Sequence, residues 1–136
     1  MNAGGSAWIQ SAPPKNIPSL VTIYKSPILN MGQQPALTVR VDDLKNPTAL
    51  KTYVKKWMKD YSRFGFEVLT AKQIKINQNQ VFLLDILSRE TNKQLRQLVF
   101  LKERTAVILT CRDHKDSFSK TVVDCNEISK TFEWVN

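Results

Sequence analysis

The sequence has little of what most enzymes need. Its 136 residues include one histidine, His114, two cysteines and four glycines. It contains no P-loop, dinucleotide-binding glycine fingerprint or calcium-binding loop, and no CxxC motif. A catalytic triad would have to use His114, which lies in a charged segment beside Arg112, Asp113 and Lys115, without a nucleophile elbow. One histidine and two cysteines supply too few good zinc ligands. We therefore expect no enzymatic activity, no metal and no cofactor.

The chain also lacks long hydrophobic runs. No stretch of about 18 apolar residues occurs, so no transmembrane span is predicted. Residues 1–6 have neither the basic start nor the apolar core of a signal peptide, and we expect them to be a cloning remnant with any signal peptide removed. Residues 1–17, rich in small and turn-forming types, are predicted to be a flexible lead-in. Trp8 either belongs to that lead-in or folds back on the domain that follows, residues 18–136.

Acidic residues are scarce relative to basic ones. The chain has 20 Lys and Arg against 12 Asp and Glu, a formal net charge of +8. The excess is uneven, because residues 44–64 hold six basic side chains and one acid. A positive surface of this kind favours anionic partners such as phospholipid headgroups, nucleic acid or acidic protein.

Residues 50–64 predict an amphipathic helix with two distinct faces. The apolar residues recur three or four positions apart, which gathers them on one face; they are Leu50, Tyr53, Val54, Trp57, Met58, Tyr61 and Phe64. Another face carries an i, i+4 row of cations with one neighbour; they are Lys51, Lys55, Lys59 and Arg63, with Lys56 beside them. Asn46 or Thr48 is expected to cap the helix, with Asp43 near its positive end.

Most of the remaining chain predicts β-structure. Residues 20–24 and 36–41 read as short strands, and 28–30 as a further extended piece. Four longer strands separated by short breaks predict an antiparallel meander; they cover residues 66–77, 80–88, 93–102 and 105–112. Several of these strands are apolar on both faces, so each face of the sheet needs a cover.

A second helix is predicted near the end of the chain, with Asp116 or Ser117 as its N-cap. Its apolar residues recur at helical spacing; they are Phe118, Val122, Cys125, Ile128 or Ser129, and Phe132. The resulting fold class is α+β. It is an antiparallel meander with an α-helix on each face, an arrangement also described as an α/β/α sandwich. A cone-shaped α+β barrel enclosing a ligand is the alternative.

This order of elements resembles the PsbP/Mog1-like superfamily. The resemblance covers residues 18–132 and rests on the short strands, the helix with Trp57, the meander, and the AVILTC…F…C run from Ala106 to Cys125. It implies an exported bacterial protein, periplasmic or extracellular, that is a non-enzymatic binding or assembly factor. None of the ion-site residues of photosystem members can be matched here, so none is carried over.

The two cysteines are Cys111, at the end of the last strand, and Cys125, on the inner stripe of the last helix. A helix that doubles back onto its strand can bring such positions within disulfide reach. Two buried reduced thiols are the alternative. The resemblance to exported proteins favours the bridge.

Acidic residues elsewhere predict structural roles. Asp42 and Asp43 form the only adjacent acid pair and are expected to serve the turn and helix cap rather than a metal or acid/base site. Asp85, inside an apolar strand, is expected to pair across the sheet with Arg96 rather than to act as a buried catalytic acid.

The basic row is the best functional candidate in the sequence, although such rows are often simply solvated helix faces. A helix shaped only for solubility would intersperse Glu, yet Asp60 is the only acid here. Nucleic acid is not favoured, because no exposed aromatics or groove-reading element is evident. We expect a secreted, non-catalytic module that binds phosphorylated lipid headgroups, such as host phosphoinositides, or an acidic protein. The alternative is an assembly factor of a bacterial envelope or secreted complex that binds a protein partner.

Overall fold

The structure, a computed structural model, describes residues 1–135. Its elements follow one another in the order β1 (Ile9–Ser11), β2 (Leu20–Lys25), β3 (Ala36–Asp43), α1 (Leu50–Tyr61), β4 (Phe66–Ile76), β5 (Asn79–Ser88), β6 (Lys93–Lys102), β7 (Thr105–His114) and α2 (Phe118–Ser129). A single 3-10 turn, Ser62–Phe64, follows α1. Among the described residues, no helix is long and apolar enough to cross a membrane.

All seven strands belong to one antiparallel sheet with the order β1-β2-β3-β7-β6-β5-β4. The predicted meander is confirmed as β4 to β7, and the bounds of β6 match the prediction. The register pairs Leu84 with Gln97 and Gln97 with Thr110, which in turn opposes Thr38. Residues 28–30 do not form the predicted extended piece, because only an isolated bridge between Asn30 and Gln33 occurs there.

Two hydrophobic clusters are built from alternating residues of the central strands. The first, which we call the α2 cluster, contains Val81 and Leu83 of β5, and the apolar residues of α2 pack in it, with Ile128 fully buried. The second contains Phe82 and Leu84, and α1 packs there through Tyr53 and Val54 together with half-buried neighbours. Because successive residues of a strand point to opposite faces, each helix packs against its own set of strand residues.

Residues 1–17, predicted to be a flexible lead-in, contribute a buried tryptophan and a strand in the structure. Trp8 is only 6% exposed and belongs to the α2 cluster, where it is the most deeply buried tryptophan. Ile9–Ser11 pairs with β2 as an edge strand. The backbone N–H of Asn2 donates to Thr131 Oγ1 at 2.9 Å, so the chain start also contacts the segment after α2. Burial of the large indole ring favours this placement of the segment against the domain.

The ends of α1 differ from the prediction. Its N-cap is Ala49, without a side-chain hydrogen bond, because Asn46 and Thr48 lie too early in the chain and Asp43 is still part of β3. The helix ends at Tyr61, and Phe64 leaves the apolar face and is 67% exposed. Gly65 then turns the chain with a φ of 79°, the left-handed conformation that glycine adopts most readily.

Candidate functional site

The outer surface of α1 and of the 3-10 turn that follows it is basic. The five predicted cations all have exposed side chains; they are Lys51, Lys55, Lys56, Lys59 and Arg63. Burial of Tyr53 and Val54 fixes the rotation of the helix and therefore directs the lysines to solvent. We call these five residues the basic face of α1.

Only one cation of the basic face is neutralised by a neighbour. Arg63 donates a hydrogen bond to the carboxylate of Asp60, one turn earlier in the helix. Among residues 1–135, no acidic side chain lies within ion-pair distance of Lys51, Lys55, Lys56 or Lys59. Like charges four positions apart repel by a few tenths of a kcal/mol. The four lysines therefore repel one another, and no ion pair with a carboxylate of residues 1–135 offsets this repulsion.

A cleft of about 480 Å³ lies beside α1, between the helix and strands β3, β6 and β7. One wall is formed by three aromatic residues of the helix, Tyr53, Trp57 and Tyr61. Polar and apolar residues of the sheet and of the segment before it complete the lining; they are Ser19, Arg40, Val41, Asp42, Gln97, Ile108 and Thr110. An aromatic wall with a few polar groups is typical of small-ligand sites.

The polar groups of this cleft are mostly engaged with one another. Tyr53 donates from its hydroxyl to Asp42 Oδ2 at 2.5 Å, and Tyr61 donates to Gln97 Oε1 at 2.6 Å. Arg40 is exposed and has no acidic partner within ion-pair distance among the described residues. The cleft therefore offers one available cation beside aromatic rings.

Both tyrosines are held in the neutral form. Burial raises the pKa of Tyr61 to about 12, partly offset by its hydrogen bond with Gln97. Burial also raises the pKa of Tyr53, and both the hydrogen bond and the negative charge of Asp42 add to the effect. A phenol with a raised pKa cannot serve as a base near neutral pH. These hydroxyls act as hydrogen-bond donors that fix the helix to the sheet.

The structure shows where the single histidine and the other possible metal ligands lie in the part of the chain that it describes. No group of three or more His, Cys, Asp or Glu side chains there could hold a metal ion. His114 ends β7, and its Nδ1 accepts a hydrogen bond from the backbone N–H of Asp116 at 3.2 Å. This contact orients the β7–α2 turn.

Cys111 and Cys125 form a disulfide, as favoured from the sequence. Their Cα atoms are 6.0 Å apart, and the bond joins the end of β7 to the inner side of α2. Both residues are buried in the α2 cluster. The bridge is therefore a structural crosslink of the core, and neither sulfur is available as a nucleophile or a metal ligand.

The structure also places the predicted acidic residues. Arg96 donates to both carboxylate oxygens of Asp85, at 2.8 and 3.0 Å, so the predicted cross-strand pair is confirmed. Asp42 and Asp43 both belong to β3, and Asp42 accepts the hydroxyl of Tyr53 instead of capping α1. That hydrogen bond attaches the first turn of α1 to the sheet. It was not predicted from the sequence.

The cleft itself was missed from the sequence. One signal for it was present, because the alternation of β3 places Thr38, Arg40 and Asp42 on a single face. The neighbours of these residues, Gln97 and Thr110, are brought beside them only by the pairing of β3 with β7 and of β7 with β6. That pairing is non-local and cannot be derived from the strand pattern alone.

No family model matches the sequence, and no curated protein matches it either. Several solved structures share the fold, among them the following two. The Pseudomonas aeruginosa protein of unknown function PA94, suggested to be a regulator, has a TM-score of 0.73 at 18% identity, over 84% of this chain and 82% of that one. Cyanobacterial PsbP from Synechocystis has a TM-score of 0.64 at 14% identity, over 92% of this chain and 81% of that one. The chain therefore has a PsbP-like fold, a seven-stranded antiparallel sheet with two helices.

Proposed function

We propose that the protein is a secreted, non-catalytic module that binds anionic membranes through the basic face of α1. The preferred ligands are phosphorylated lipid headgroups such as phosphoinositides. The observation that carries the proposal is the set of exposed lysines on α1 without acidic neighbours within ion-pair distance among residues 1–135. An anionic surface relieves their mutual repulsion, since each Lys or Arg near such a membrane contributes about 1 kcal/mol.

The architecture supports this use of the helix. The first turn of α1 is fixed through Tyr53 and Asp42, and its last turn through Tyr61 and Gln97. We infer that α1 and α2 cover opposite faces of the sheet, because alternate residues of β5 belong to their two clusters. A rigidly mounted helix on one outer face presents its lysines together, so binding does not require the backbone of the helix to become ordered.

Export is part of the proposal. The disulfide between Cys111 and Cys125 supports it, because such bonds persist in oxidising compartments. The periplasm or the extracellular space fits a bond of this kind better than a reducing cytosol does.

Vesicle co-sedimentation at two salt concentrations tests the function. We expect binding to vesicles that contain phosphoinositide, little binding to neutral phosphatidylcholine, and weaker binding at about 0.3 M than at about 0.05 M salt. Changing Lys51, Lys55 and Lys59 to Glu should abolish binding and leave the far-UV circular dichroism unchanged.

A charge-matched variant provides the control. Lys72, Lys75 and Lys120 are exposed and lie outside α1, so changing them to Glu alters the net charge equally. This control should retain most of the binding. The proposal fails if the wild type does not bind, or if both variants lose binding to the same extent.

A second candidate is an assembly factor that holds a protein partner of an envelope or secreted complex. The cleft beside α1 favours it, since an aromatic wall and the available cation of Arg40 suit a peptide with an acidic or aromatic side chain. Changing Arg40 to Glu and Trp57 to Ala should then release a co-purifying partner, while vesicle binding should stay unchanged.

A further inference from the structure

The hairpin between β2 and β3 exposes three large apolar side chains to solvent. Ile28 is 68% exposed, Leu29 62% and Met31 67%. We call these three residues the apolar tip. Single exposed apolar residues are common on soluble proteins, but three within four positions of one turn are a cluster of the kind found at interaction sites.

Hydrogen bonds hold the apolar tip in one conformation. Asn30 and Gln33 exchange two backbone hydrogen bonds of 2.8 and 2.9 Å. Between them Met31 has a φ of 52° and Gly32 a φ of 77°, the pair of left-handed residues that a tight hairpin turn requires. Ser26 stabilises the start of this turn, because its hydroxyl donates to the carbonyl of Ile28 and accepts from the N–H of the same residue.

Cations lie beside the apolar tip. The turn residues Gly32, Gln33 and Gln34 line a cleft of about 330 Å³ together with Lys93, Arg112 and Asp113. The carboxylate of Asp113 is buried and already accepts hydrogen bonds from Asn30, Ser117, Thr121 and the backbone of His114. These hydrogen bonds occupy the carboxylate of Asp113 inside the protein. Lys93 and Arg112 are therefore the charged residues of this cleft that can contact a ligand.

The apolar tip and the end of α1 lie at the same end of the sheet. Phe66, just after α1, pairs with Ser88, and Ser88 pairs with Lys93, which opposes His114 at the end of β7. Arg112, two residues earlier, pairs with Ala36, where the hairpin closes. Arg63 of the basic face and the exposed residue Phe64 therefore lie at the same end of the sheet as the apolar tip.

We propose that the apolar tip inserts into the interfacial region of an anionic bilayer, while Lys93 and Arg112 contact lipid phosphates. The choice of a bilayer rests on the function proposed above. A convex tip of three side chains is too small for a stable protein interface, which buries about 800 Å² per partner. An interfacial anchor needs only a few apolar residues flanked by cations.

Insertion can be measured with an environment-sensitive fluorophore at the tip. Because Cys111 and Cys125 are bridged, Met31→Cys supplies a single reactive thiol. Gln78→Cys, in the exposed turn between β4 and β5 at the opposite end of the sheet, is the matched control, because Gln78 also has a positive φ. With phosphoinositide vesicles, emission at position 31 should shift to the blue and be quenched by brominated lipid, while position 78 should not respond.

Removal of the apolar side chains tests the contribution of insertion to binding. Ile28→Ser with Leu29→Ser should weaken vesicle partitioning by at least about tenfold. Leu69→Ser with Val123→Ser removes two exposed apolar side chains elsewhere and should leave partitioning nearly unchanged. Both variants should unfold cooperatively, because the altered side chains face solvent.

The two proposals fail in different ways. If the wild type binds vesicles but the probe at position 31 does not respond, tip insertion is overturned and the basic-face function stands. If the probe inserts but the lysine variant binds normally, the basic-face function fails and the tip proposal stands. Absence of any vesicle binding overturns both, and self-association that is lost in the tip variant assigns the tip to a second copy of the chain instead.

Discussion

The side-chain amide of Asn30 donates a 2.9 Å hydrogen bond to Oδ2 of Asp113, which lies 83 positions later in the chain. The same oxygen accepts the hydroxyls of Thr121 and Ser117. One buried carboxylate thus joins the β2–β3 hairpin, the end of β7 and the first turn of α2.

Asp113→Asn should destabilise the fold by about 1–3 kcal/mol, because an amide nitrogen cannot accept a hydrogen bond and leaves a buried donor unpaired. Urea unfolding measures the change. Asp116→Asn is the matched control: Asp116 is exposed, so its loss should shift stability by less than about 0.5 kcal/mol. Equal effects of the two substitutions would show that Asp113 has no special role.

The disulfide between Cys111 and Cys125 closes a loop with a sequence separation of 14. A crosslink of this size lowers the entropy of the unfolded chain and stabilises by about 3 kcal/mol. Cys111→Ala with Cys125→Ala should therefore lower the urea midpoint, and reductant should lower that of the wild type alone. Intact mass before and after reduction and alkylation reports the bridge directly. Insensitivity of wild-type stability to reductant would contradict this account.

Helix α1 begins without a capping side chain. Ala49 occupies the N-cap with φ −67° and ψ 142°, a conformation that suits a capping residue. Ala49→Asp should stabilise by about 1 kcal/mol, since its carboxylate can accept a free N–H of the first turn and lies at the positive end of the helix dipole. Ala49→Val, which cannot cap, should give no gain. Thermal unfolding of the two variants compares them.

Two Arg–carboxylate pairs differ in burial and in geometry, because Arg96 contacts both carboxylate oxygens of Asp85 whereas Arg89 contacts one oxygen of Glu67. The side chains of Arg96 and Asp85 are 24% and 13% exposed, whereas those of Arg89 and Glu67 are 72% and 43% exposed. Double-mutant cycles with Ala should give a coupling above about 1 kcal/mol for the first pair and about 0.2–1 kcal/mol for the second. The coupling of the second pair should also fall at high salt. Similar couplings for both pairs would refute the importance of burial here.

Because of the tyrosines of α1, we expect the folded protein to lose stability at alkaline pH. The pKa of Tyr61 is about 12 in the folded protein and near the ordinary value of 10.0 in the unfolded chain. Between these two pH values the unfolded state loses the proton while the folded state keeps it, so stability is full below pH 10 and falls as the pH rises towards 12. Tyr61→Phe should reduce this slope. Urea titrations across the interval measure it, and an unchanged slope would exclude Tyr61 as a source.

Local signals in the sequence were sufficient for most elements. The bounds of β6 follow from turn residues on each side, and the structure shows that Asn92 and Glu103 both adopt positive φ. The face of α1 that packs on the sheet follows from helical spacing, as does the exposure of the basic face. The partners of Asp85 and Cys111 were also inferred, because each lies close to its partner along the chain.

Contacts between distant segments were decided only by the tertiary structure. The residues around Trp8 show no apolar periodicity that would reveal its burial, which depends on the strands and on α2. The cleft beside α1 requires the pairing of β3 with β7, and the anchoring of the apolar tip requires Asp113 to reach Asn30.

The sequence by itself determined the α+β class, the antiparallel meander, the amphipathic helices and the basic face of α1. Those features arise from periodicity and turn chemistry within short windows of the chain. Tertiary structure alone decided that residues 1–17 contribute a strand and a core tryptophan, that the hairpin after β2 holds three apolar side chains in water, and that a cleft opens beside α1. Each of these depends on which distant residues share a face or an end of the sheet, and no local pattern encodes that information.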